Sequence, residues 1–406
     1  MKEFLKNLGP GILVSAAFIG PGTVTVCSIA GVEFGYNLLW ALLISVIGCM
    51  LLQEMSARLG LISGMGLSEN IKSQLANPIL RNIALLLVFS AIVIGNAAYE
   101  AGNISGAALG LQGIFADVSL KLGNLKINLW SCLIGGLAFI LLFLGSYKQL
   151  EKVFIGLVLL MSLSFLITAI LTKPDLRLIF KGLIPSNVDA GLLSIIALVG
   201  TTVVPYNLFL HASLVSEKWK GAGKLGIVRK ELIFSIGLGG LVSMAILICA
   251  AASGIQNIEN AGDLAAGLEP LFGEAATVFL ALGLLAAGIT SSITAPLAAA
   301  YVVRGCLGWK PARNDWKFRM VWMSIVLLGI IFSSVGFKPV EVIQFAQVAN
   351  GMVLPVIAIF LFWIVNRAAV MGEYRNGFIL NLFGILVIGL AFFLGIKSIY
   401  NVLSNF

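Results

Sequence analysis

Charge is what this chain has least of. Asp, Glu, Lys and Arg make up 11% of its 406 residues and hydrophobic residues 59%, where a soluble domain is usually about a quarter charged. A soluble globular protein is excluded on that ground. Histidine is nearly absent, with His211 the single copy. Without a carboxylate pair beside it or a phosphate-binding loop, no catalytic set can be assembled, so no enzyme is expected and no cofactor is called for. The five cysteines, Cys27, Cys49, Cys132, Cys249 and Cys306, show no C-x-x-C spacing and mostly lie in apolar stretches, as inert buried thiols do. Cys27, a turn beyond an interrupted helix, is the one expected to be reached from a central cavity. Linkers and low-complexity tracts are lacking too, so residues 1–406 read as one transmembrane domain. Met1–Lys6 runs straight into the first apolar span and reads as part of a retained helix.

What fills the chain is apolar runs. At about 20 residues per membrane crossing, eleven helices fall near 9–31, 37–59, 80–112, 128–146, 150–172, 189–216, 228–253, 271–304, 318–336, 340–366 and 376–402. The net charge of +8 does not point to nucleic acid, because the basic residues sit in short loops. With the N-terminus in the cytoplasm, nineteen of the 26 Lys and Arg fall on the cytoplasmic side, as the positive-inside rule requires. The C-terminus then lies on the opposite side. The expected setting is a plasma (inner) membrane, with the lipid bilayer and a small solute or ion as partners. Nothing in the sequence fixes the oligomeric state.

Two spans are broken. Gly20-Pro21-Gly22-Thr23 interrupts the first and Val204-Pro205-Tyr206-Asn207 the sixth. Proline removes a backbone donor and clashes with the preceding turn, and unwound backbone at membrane depth must be buried in protein or line a solvated cavity. Paired breaks in two halves of a chain mark the central site of a secondary transporter. Five spans per half reverse the direction of the second half, giving an all-α fold of 5+5 inverted repeats (about 9–172 and 189–366) with an extra helix at about 376–402.

The substrate-binding candidates are Gly20, Thr23, Thr201, Val204, Tyr206, Asn207, Gln347 and Asn350, and no metal-ligating set is assigned. Thr23 starts a half-helix and either caps it or offers a hydroxyl to a substrate. Gln344, Gln347 and Asn350 are three apart and share one side of a helix, facing a cavity or bonding to a neighbouring helix. Glu100 and His211 are the proton-path candidates, because ionisable groups inside a membrane are functional by default. The alternatives are a neutral acid and a satisfied polar group.

These residues resemble the Nramp family of proton-coupled divalent metal transporters, over nearly the whole chain. Gly9-Pro10-Gly11, Phe34-Gly35-Tyr36-Asn37-Leu38-Leu39-Trp40, Ser56-Ala57-Arg58-Leu59-Gly60, Pro205, Asn207-Leu208, Leu210-His211 and Leu284–Ser292 carry the likeness. It implies a LeuT-like fold. The metal motifs depart from the family's: Asp-Pro-Gly-Asn is Gly20-Pro21-Gly22-Thr23 here, and Met-Pro-His is Val204-Pro205-Tyr206. The family's helix-three Asp falls at Ala97, while Glu100 and Gln347 match its Glu and Gln. A dehydrated divalent cation needs anionic ligands to offset its desolvation. The first expectation is therefore a secondary transporter with a degenerate metal site and an altered, non-transition-metal cargo, a small polar or anionic solute. The alternative is a divalent cation importer for Mn2+, Fe2+ or hydrated Mg2+, with or without coupling to protons.

Overall fold

The computed structural model describes residues 19–122, 125–145, 148–186, 188, 191–219, 221–309 and 315–404. The Gly9–Gly11 motif and the first half of the first span lie outside them. The helices are α1 Pro21–Phe34, α2 Leu39–Ser63, α3 Leu67–Gln74, α4 Pro78–Ile114, α5 Leu129–Leu144, α6 Lys148–Leu171, α7 Leu192–Thr202, α8 Pro205–Lys218, α9 Leu225–Ala251, α10 Ala276–Leu307, α11 Trp316–Ser334, α12 Pro339–Val365 and α13 Phe378–Ser404. Single-turn helices such as Ala261–Ala265 and Ala368–Met371 link some of them. Among the described residues, nine helical segments are long and apolar enough to cross a membrane. The shorter α5 and the half-helix α1 complete the expected spans. The eighth span starts a turn later than its hydropathy indicates, because the residues before it form the short helices Ala261–Ala265 and Glu269–Phe272.

Small residues set how closely these helices approach, as is usual where lipid removes the hydrophobic drive for helix association. On α4, a Cβ added at Gly106 would run into Pro21 and one at Gly110 into Ala281 and Leu285 of α10. On α2, Gly60 lies against the Ala212 carbonyl of α8, and on α1, Gly31 lies against α9. Two packed groups result: α1, α2, α8 and α9 on one side, and α4, α5, α10 and α11 on the other. Helix α12 touches both groups, and α13 packs on α12 and α2.

The strands β1 Ser119–Leu122 and β2 Leu125–Asn128 form an antiparallel hairpin between α4 and α5. The hairpin also bridges the α11–α12 turn, through Ile127 opposite Val335 and Gly336 N–H donating to the Lys126 carbonyl. It ties two loops of one face together.

Candidate transport site

Both prolines open helices where the sequence places them. Gly20 is extended (φ −101°, ψ 179°) and Pro21 opens α1. Val204 is extended (φ −75°, ψ 118°) and Pro205 opens α8, two residues after α7 ends at Thr202. Proline at the first helical position has no donor to waste, and it forces the residue before it out of helix.

The two breaks touch. The Thr23 and Thr201 hydroxyls lie 2.9 Å apart in a buried hydrogen bond spanning 178 residues of sequence. Thr23 is thus not the cap of α1. The N-cap is Gly20, without a side-chain bond, and its carbonyl accepts from the Thr23 and Val24 amides. Gln347 of α12 closes the third side. A Cβ at Gly22 would collide with the Gln347 carboxamide, and one at Gly200 with the Gln347 carbonyl and the Gly351 amide. Glycine is required at 200, where the obstacle is backbone, whereas at 22 the obstacle is the movable end of a side chain.

The site is buried and rich in oxygen. Thr23, Thr201, Val204, Tyr206, Gln347 and Asn350 are each 1–2% exposed. Among the described residues, buried side-chain atoms without a hydrogen-bond partner include Thr25 Oγ1, Tyr206 OH, Asn207 Oδ1, Gln347 Oε1 and Asn350 Nδ2. Native interiors rarely leave such groups unpaired, so each one calls for water, an ion or a ligand. α7 also ends here, so its last carbonyls give the site the negative end of a helix dipole. Thr202 is excluded from the site, because its hydroxyl donates within α7 to the Leu198 carbonyl at 2.6 Å. Among the described residues no group of three or more His, Cys, Asp or Glu could hold a metal ion.

The proton-path candidates lie outside the Thr23–Thr201 contact between the breaks. Glu100 is fully buried in α4, six residues before the glycine that meets Pro21, or about 9 Å along the helix. Asn103 Nδ2 donates to its Oε2 at 3.5 Å, its side chain rests on Gly329 of α11, and its Oε1 has no partner. Tyr99 meets Tyr206 edge to face, with ring centroids 5.3 Å apart, so this cluster abuts the second break. His211 is buried in α8, with Nδ1 2.8 Å from Gln53 Oε1 of α2. It is a bonded group joining two helices.

Three outcomes depart from the sequence reading. Cys27 is completely buried rather than reachable, because α1 packs closely on α9. Gln344 stands off from the other two amides and lines a cleft of about 320 Å3 with Glu33, Asn257, Glu259, Lys338 and Glu341. The glycines at 22 and 200, and Gln53 as the partner of His211, were missed. An uncharged amide inside an apolar span was the available signal for Gln53.

Comparison with known proteins fits this geometry. The family model for natural resistance-associated macrophage protein-like proteins matches residues 11–401. The divalent metal cation transporter MntH of Deinococcus radiodurans is 29% identical, over 92% of this chain and 84% of that protein. That of Aeromonas hydrophila is 28% identical, over 95% and 93%. Among solved structures, a manganese transporter of Eremococcus coleocola aligns with a TM-score of 0.78 at 22% identity, over 98% of this chain and 87% of that one. MhsT in complex with L-phenylalanine aligns at 0.58 and 16% identity, over 96% and 98%. Likeness at these identities speaks to fold alone.

Proposed function

The chain belongs to the Nramp family of membrane transporters, and on that premise we propose that it carries a divalent metal cation by alternating access, holding it through oxygen donors at the junction of the two breaks. The observation that carries this reading is the set of unpartnered buried oxygens there, Gln347 Oε1, Tyr206 OH and Asn207 Oδ1, beside the carbonyl end of α7. Unwound carbonyls and half-helix C-termini suit cations, and hard cations take oxygen ligands.

The first sequence-based expectation, an altered non-metal cargo, gives way to its alternative. It counted side-chain charge only and found none, leaving aside backbone carbonyls and amide oxygens. The curated relatives named above are divalent metal cation transporters, and nothing in the site favours an organic solute over an ion. With Val204 in place of a thioether, softness no longer selects transition metals. A cation that retains part of its water shell, as Mg2+ does, suits a site built from neutral oxygens. Uptake of Mg2+ and Mn2+ into proteoliposomes tests this. Saturable uptake of either supports the reading, and uptake of neither overturns it.

Glu100 is the proposed proton carrier, supported by its complete burial and its unpartnered Oε1. If protons are coupled, Glu100→Gln uptake becomes indifferent to an imposed pH gradient while wild type responds. Equal response of the two removes Glu100 from that role. His211 remains a second proposed member of the path; its bond to Gln53 couples any change at the ring to α2.

A further inference from the structure

Among the described residues, one Lys or Arg side chain is buried, and it lies away from the transport site. Arg58 of α2 is 1% exposed. Its Nε and Nη2 donate to the Glu54 carboxylate at 3.0 and 3.1 Å, Nη2 also donates to Asn376 Oδ1 at 2.6 Å, and Nη1 donates to the Tyr374 carbonyl. Glu54 Oε1 accepts in addition from Arg229 of α9, at 2.8 and 2.7 Å. Asn376 passes the contact on, donating to Asn381 in α13 at 3.1 Å. Arg58 thus joins α2 to the connection between α12 and α13, and the Glu54 carboxylate it holds extends the link to α9.

The other side of the same stretch of α2 grips the second broken helix. Ser56 Oγ donates to the Leu208 carbonyl, Gln53 meets His211, and Gly60 lies against Ala212. Residues 54 and 58 are one turn apart on one side of α2, while 53, 56 and 60 lie along another. Whatever holds Arg58 therefore holds α8.

We propose that Arg58 is a positioning residue. It clasps the α12–α13 connection to the paired helices α2 and α8, and the face of the protein at that end opens only when the clasp releases. A planar guanidinium reaching a carboxylate and two further acceptors is a geometry Lys cannot reproduce. A buried pair is costly to break once one partner is gone, so the clasp has a bound and a released state with little between. The eleventh helix, an appendage to the repeats by sequence, then takes part in the transport cycle.

The test uses purified full-length protein in detergent with a thiol reporter at Ser216→Cys near the end of α8, labelled by a maleimide. A protein without the reporter gives the background of the native cysteines. Asn376→Ala removes one acceptor and leaves the ion pair intact, and Arg58→Lys removes the fork. Each is expected to speed labelling about tenfold, the effect of one hydrogen bond to a charged group. A second reporter, Gln344→Cys in the cleft, is expected to label more slowly in the same variants, because opening one face closes the other. Simple loosening would speed both reporters and overturn the proposal. Unchanged rates in Asn376→Ala protein that elutes as a single folded species would also overturn it, whether or not Arg58→Lys folds. The readout needs no cargo, so it stands or falls separately from the cation assignment.

Discussion

Gln347 shows what one side chain does here and how much of it the sequence discloses. Its polarity within an apolar span flagged it, as it flagged Glu100 and Asn350, because a buried amide in a membrane needs a reason. The surfaces that pin it could not be read. Gly22 and Gly200 matter through what stands opposite them, and that is tertiary information. Gly200→Ala places a Cβ against the Gln347 carbonyl and the Gly351 amide, and backbone cannot swing aside as a side chain can. A loss of about 1–3 kcal/mol is expected for such overpacking, read as a lower melting temperature in detergent. Wild-type melting would show that α7 and α12 slide apart freely. Val204, buried at the second break, decides softness. Val204→Met adds a thioether, and the ratio of Mn2+ to Mg2+ uptake is expected to rise. An unchanged ratio would place Val204 away from the ion.

Individual helices follow local rules more openly. Pro21 and Pro205 begin helices after extended residues, whereas Pro296 and Pro355 lie within continuous helices α10 and α12. Proline alone therefore did not mark the breaks. Polar and glycine neighbours and matching positions in the two halves did. The hairpin before α5 went unread because its strands are only four residues each, and its bridge to Val335 is remote in sequence. The same distance hid the ion pair at the cleft, where Lys338 Nζ donates to Glu259 Oε2 at 2.8 Å. The bonded Lys338 holds the Glu259 carboxyl below its usual value, and Glu259 raises Lys338 in turn. The pair's contribution is therefore complete through neutral pH. It is lost as pH falls through the lowered Glu259 value or rises through the raised Lys338 value. Labelling of Gln344→Cys, normalised at each pH to a free thiol because only the thiolate reacts, is accordingly expected to be flat around neutrality and faster in acid. Both partners are exposed, so high salt should mimic acid. A rate independent of acid and salt would show that the pair does not close the cleft.

The whole molecule was the most legible of all in outline and the least in cargo. Eleven spans, an odd number per half and two proline breaks determined the inverted-repeat fold without any distance, because membrane crossings and unwound backbone leave few options. Cargo depends on where oxygens converge, and oxygens contributed by the backbone carry no residue signature. Thr201 and Thr23 were legible as hydroxyls but not as each other's partners. The clasp at Arg58 was hidden likewise, since Arg58, Arg229 and the segment around Asn376 lie far apart in the chain.

The most direct check is calorimetric titration of the purified protein with Mg2+ and Mn2+, beside the same titration of Gln347→Ala. Saturable binding to wild type, weakened about tenfold or more when the Gln347 oxygen is removed, is the expected result. No binding of either ion to folded wild-type protein, or equal binding to both proteins, would contradict a cation site at the junction of the breaks.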